Sequence, residues 1–213
     1  MKQNSKLYLF LILALVMTYN SYSQVRRADK WRAFVGVGIN YPQLAGLVDG
    51  AYTPPVNFPT VNLGIQHMFK PMFGVRLDYG FNRFASDEGS PEFKVNYSRV
   101  NAQLLIDPTR YFGFLEPNFK LILHGGPGYS ISKPLGRLVR NEQSYLNFTF
   151  GAELHYILSE TVSVFLDGSY IYGFTDLDDY DPVLDGLGAF NSGVANVTVG
   201  ISFSLVNCRS CNL

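Results

Sequence analysis

Apolar and polar residues alternate along most of the chain. Phe73–Phe84 shows the pattern: Phe73, Val75, Leu77, Tyr79 and Phe81 fall on one parity, and Gly74, Arg76, Asp78, Gly80 and Asn82 on the other. Trp31–Tyr41 sets Ala33, Val35, Val37 and Ile39 against Arg32, Phe34, Gly36, Gly38 and Asn40. Thr60–Phe69 sets Val61, Leu63 and Ile65 against Asn62, Gly64 and Gln66. The same alternation runs through Phe93–Ile106, Asn118–Ser132, Ser144–Leu158, Val162–Phe174 and Ser192–Leu205. A period of two puts successive side chains on opposite faces of a strand, so eight amphipathic strands are predicted.

Alternation alone does not say which face is inside. A soluble barrel fills its core with the apolar parity, whereas a membrane barrel turns that parity to lipid and its polar parity inward. The segments are longer than the five or six residues usual in a globular sheet and match the roughly 9–11 residues of a tilted strand crossing a bilayer. Short turns at Lys70–Met72 and Ser159–Thr161 alternate with longer polar loops such as Pro42–Pro59 and Thr175–Asn191. Asp107–Pro117 is the longer exception on the short-turn side. Tyr41, Phe69, Phe119, Tyr129, Tyr156, Tyr172 and Phe203 lie near segment ends, where aromatic girdles meet the membrane surface. The expected fold is therefore all-β: an eight-stranded antiparallel up-and-down transmembrane β-barrel with Arg76 and Asp78 inward. The competing reading is an exported, lipocalin-like soluble barrel, which needs a more heavily charged polar parity.

Composition favours the membrane reading. Charged residues make up 16% of the chain, against about 25% in ordinary soluble domains, and aromatic residues make up 15%. The net charge is zero, so there is no basic surplus to attract nucleic acid. Lys2 and Lys6 precede the apolar run Leu7–Met17, and Ser21-Tyr22-Ser23 follows as a small-x-small cleavage signature. Residues 1–23 are thus expected to be a signal peptide, 24–207 the barrel, and 208–213 a short periplasmic tail.

NLGIQHMFKPMFGVRLDYGFNRF, FKVNYSRVNAQLL and ILHGGPGYS, together with the closing NVTVGISFSL, resemble the N-terminal barrel domain of OmpA-like outer-membrane proteins. The resemblance covers nearly all of the chain after the signal peptide. It implies the cell outer membrane, a plugged polar interior, and outer-membrane lipid and lipopolysaccharide as partners, with other envelope proteins as further candidates. The peptidoglycan-binding domain of many relatives has no counterpart here, so cell-wall anchoring is not implied.

On the inward parity Arg32, Arg76, Arg99 and Lys120 face Asp78, Glu153 and Asp167, and these are expected to form a structural ion-pair network that plugs the lumen. The sharper alternative is a narrow water or ion path. His124, Glu153 and His155 contain metal-ligating and acid–base groups, but with no ligand spacing, so a hydrogen-bonding role is expected and neither a metal nor any cofactor is called for. Ser130 and His124 share a parity but lie roughly 20 Å apart along one strand, too far for a catalytic dyad. Gly125-Gly126-Pro127-Gly128 lacks the Lys-Ser/Thr ending of a phosphate loop and is expected to mark a bulge or bend. Lys133, Arg137 and Arg140 make one loop basic, suited to glycolipid phosphates. Asp176, Asp178, Asp179, Asp181 and Asp185 make another acidic, a candidate for divalent cations. Cys208 and Cys211 can form a short disulfide in an oxidising compartment. The function expected is a non-enzymatic envelope protein, structural or surface-interacting. A porin-like channel and a lipid-modifying enzyme are the alternatives.

Overall fold

The structure, a computed structural model, describes residues 31–43, 52–115, 117–135, 142–175 and 193–205. Eight strands close into one barrel: β1 (Trp31–Pro42), β2 (Asn57–Met68), β3 (Phe73–Ala85), β4 (Lys94–Ile106), β5 (Phe119–Pro134), β6 (Gln143–Ile157), β7 (Val162–Phe174) and β8 (Val194–Ser204). Every neighbour is antiparallel, and β8 returns to pair with β1, so no strand edge is left open. The expected strands are all present. The largest boundary change is at β2, which begins at Asn57 rather than Thr60; β1 and β2 slip by one residue between Gly38 and Asn40, a β-bulge.

The orientation is inside-out. Val35, Leu63, Leu77, Val100, Phe150, Leu166 and Val199 are exposed on the outer wall, while Arg76, Asp78, Arg99, Glu153 and Asp167 are buried in the lumen. One end of the barrel carries the tight connections 69–72 and 158–161, the pinned connection 107–118, the start of β1 and the end of β8; the other carries the remaining connections. They are called here the turn end and the loop end.

The lumen has apolar closures at both ends. Phe84, Phe93, Val95, Tyr97, Tyr145, Ile171 and Val194 form a buried cluster at the loop end. Met68, Leu105 and Ile122 form a smaller one at the turn end. The charged layer lies between them.

Residues 125–128 hold their place in β5 with no bulge. The pairing of β4 with β5 keeps one register from Val95↔Pro134 to Ile106↔Leu123. The glycine is needed for close approach instead: a Cβ on Gly126 would lie 2.1 Å from the Ala102 carbonyl oxygen.

Candidate functional site: the charged layer of the lumen

The alternation of β3 turns Arg76 and Asp78 inward, two residues apart, and β6 and β7 pair Glu153 directly with Asp167. Arg76 and Glu153 come from strands that are not sheet neighbours, so their contact crosses the lumen. Arg76 Nη1 and Nη2 donate to Glu153 Oε1 and Oε2, each at 2.7 Å, a two-pronged charge-assisted pair. Nη2 also donates to Gln66 Oε1 at 2.8 Å, and the guanidinium lies 4.5 Å from the Phe34 ring centre. Glu153 Oε2 is 2.9 Å from His155 Nε2, and His155 Nδ1 is 3.1 Å from Ser163 Oγ.

A second string runs beside the first. Asp78 accepts from Gln103 Nε2, and Gln103 Oε1 lies 2.6 Å from His124 Nδ1. Since the Gln103 amide nitrogen is turned to Asp78, its carbonyl faces the imidazole, and Nδ1–H is the donor there. His124 Nε2 reaches Asp167 Oδ1 at 2.9 Å, and Ser169 Oγ donates to Asp167 Oδ2 at 3.0 Å. This reach passes over β6 at Gly151, where a Cβ would stand 2.7 Å from Nε2. Arg99 donates to Asn82 and Asn62, and Asn82 donates to Asn196.

Two of the sequence-derived lumen charges sit elsewhere. Lys120 has inward parity but lies at the turn end, where it pairs with Asp107 at 2.9 Å and is 29% exposed. Parity fixes the face of a strand and not the height along it. Arg32, near the same end, bonds to Ser202 and Ser163. Arg137, Arg140, the five aspartates between 176 and 185, and Cys208 and Cys211 lie outside the described residues, as do residues 1–30.

The donor atoms of His124, Glu153 and Asp167 lie within 4.8 Å of one another. Each is already engaged within the protein, Glu153 by Arg76 and His155, His124 by Gln103 and Asp167. The His124–Asp167 contact was hidden from the sequence because it joins β5 to β7, whereas Glu153 and His155 meet two residues apart on β6. Ser130 bonds to Tyr97 at 2.6 Å and to Asn147 at 2.7 Å, away from His124. The cavity left in the layer is about 10 Å³, lined by Phe34, Arg76, Asp78, His124, Glu153 and Asp167 among others. That is roughly the space of one water molecule.

A closed antiparallel barrel, apolar outside and packed with paired polar groups inside, is an integral membrane β-barrel of the outer-membrane type. The turn end then faces the periplasm and the loop end the cell exterior. Solved structures share the architecture. Neisserial surface protein A superposes with a TM-score of 0.54 at 11% identity, over 82% of this chain and 95% of that one. A major outer membrane protein from Thermus thermophilus superposes at 0.56 and 13% identity, over 83% and 99%. Identity this low speaks to fold alone. No protein-family profile matches the chain, and no curated protein matches it in sequence.

Proposed function

We propose that the protein is a non-enzymatic integral protein of the cell outer membrane, with the barrel as a structural element and the loop end as a surface for contacts with the envelope. The closed lumen carries this reading: a crosslinked charged layer, a cavity of about 10 Å³, and an apolar cluster at either end. A solute path needs both clusters displaced and Arg76 parted from Glu153. A lipid-modifying reaction needs a nucleophile with access to a chain or headgroup, whereas Ser130, His124 and Ser169 are all buried in the lumen. The partners that fit the outer wall are outer-membrane lipid and lipopolysaccharide, and the neutral net charge gives no reason to add nucleic acid.

Planar-bilayer recording of the refolded chain tests this. No unitary current steps are expected across ±100 mV, the magnitude at which one elementary charge gains about 2.3 kcal/mol. A stable open level abolished by Glu153→Gln or Arg76→Gln would replace the structural reading with the channel.

A further inference from the structure

The outer wall is electrostatically lopsided. Among the described strand residues that point outward, Arg83, Lys94 and Lys133 are the cations, and no carboxylate points outward with them. All three lie at the loop end, on the adjacent strands β3, β4 and β5. Register sets their spacing: Arg83 pairs with Asn96 and Asn96 with Lys133, so the row Arg83, Asn96, Lys133 crosses three strands at one height. Neighbouring strands are about 4.8 Å apart, which puts the two cations roughly 10 Å from each other on the backbone. Lys94 stands two residues nearer the rim than Asn96, about 7 Å along β4, and completes a triangle.

The side chains are placed for an anion. Arg83 Nε donates to Asn96 Oδ1 at 3.0 Å, which holds the guanidinium along the row. Lys133 pairs with Glu142 at 3.1 Å, but both are about half exposed, and such a pair is weak and exchangeable. The other described carboxylates at this end, Asp87, Glu88 and Glu92, are on the connection beyond the strands. Directly below the triangle the wall is mostly apolar: Phe81 and Ile131 flank Ser98, which accepts from Tyr79 Oη at 3.2 Å, and Tyr79, Val100 and Tyr129 follow. Cations above a hydrocarbon-facing surface match a lipid with its phosphate above its chains.

We infer that Arg83, Lys94 and Lys133 form a binding site on the outer wall for a phosphate-bearing lipid of the outer leaflet, with acyl chains lying along Tyr79, Phe81, Tyr129 and Ile131. This rests on the outer-membrane reading and adds to it a located site. The lumen takes no part.

The test is native mass spectrometry of the refolded full chain from detergent micelles doped with bisphosphorylated lipid A, its dephosphorylated form, or neither. The expected result is one retained lipid A, preferred at least tenfold over the dephosphorylated lipid. The variant Arg83→Gln/Lys94→Gln/Lys133→Gln loses that preference, and Lys120→Gln, at the other end, keeps it. Heat-shifted gel mobility checks that each variant is folded. A triple variant that keeps the preference, or a wild-type chain without one, overturns the site. So does displacement of the lipid by millimolar inorganic phosphate, since an ion alone would then suffice. Gel mobility and conductance report the barrel and its closed lumen whatever lipid is bound, so this test can fail while the structural reading stands.

Discussion

Glu153→Gln keeps the shape of the side chain and removes its charge. Glu153 is 2% exposed, and its two oxygens take both Arg76 contacts at 2.7 Å and the His155 contact at 2.9 Å. Arg76, 5% exposed, is then left without its main counter-ion. Removing one partner of a buried pair costs about 3–5 kcal/mol, because the remaining charge stays desolvated. Arg76 keeps the Gln66 bond, the Phe34 ring and the fields of Asp78 and Asp167, which places the cost near the lower end, about 3 kcal/mol. Guanidinium unfolding from lipid vesicles reads it, followed by the fluorescence of Trp31, the single tryptophan of the chain. With a slope of roughly 2–6 kcal/mol per molar, the midpoint falls by about 1 M. The double variant Arg76→Leu/Glu153→Leu removes both charges and is expected to recover more than half of the loss. A Glu153→Gln midpoint within about 0.2 M of wild type, under about 1 kcal/mol, would refute the dry, paired lumen and mean that water solvates Arg76 there.

Three further substitutions test the wall. Leu77, 54% exposed in the middle of β3, faces lipid, so Leu77→Arg is expected to cost about 2–4 kcal/mol in the same vesicle assay; a neutral result would mean that this face meets water. Gly38→Ala puts a Cβ 1.9 Å from the Val197 carbonyl oxygen, and displacing β8 is expected to cost at least about 1–3 kcal/mol. Gly168→Ala has nothing within 4 Å and should stay within about 0.5 kcal/mol of wild type; equal effects at the two glycines would count against the close approach of β1 and β8 as their cause.

The strands and their facing were legible because a period of two holds over most of each strand, imposed by lipid outside and the polar lumen inside. Phe73–Phe84 alone told which side chains would share a face, and composition told which face met lipid. The start of β2 was not legible. Pro54, Pro55 and Pro59 read as loop, yet Asn57 pairs with Asn40 beyond the bulge, where a proline at the strand start is tolerated. The apolar closures were hidden for another reason. Phe84 follows Asn82, Leu105 follows Gln103, and Ile122 sits between Lys120 and His124, so each looks like a lapse in the polar parity. Only their placement, Phe84 at the loop end and Leu105 with Ile122 at the turn end, turns these lapses into clusters. The pairing of charges was beyond the sequence altogether, because Arg76–Glu153 and His124–Asp167 join strands that are not neighbours in the sheet.

Those cross-lumen contacts bear on specificity more than on net stability. A buried ion pair contributes little over a well-packed apolar pair, since desolvation offsets most of the attraction. The consequence of misplacing it is larger. A one-residue slip of β3 against β2 and β4 would turn every side chain of the strand over. Arg76 would then enter lipid at about 2–4 kcal/mol, Asp78 would add a smaller cost, and Leu77 and Tyr79 would strip Glu153, Gln66 and Gln103 of their polar partners. The bilayer drives the apolar parity outward, but it acts equally on any register that keeps parity, including slips of two. Arg76 against Glu153 and His124 against Asp167 distinguish among those, because a shift of two residues moves each partner by about 7 Å and breaks contacts of 2.7 and 2.9 Å. The lumen charges therefore select one closed barrel from several that lipid alone would accept.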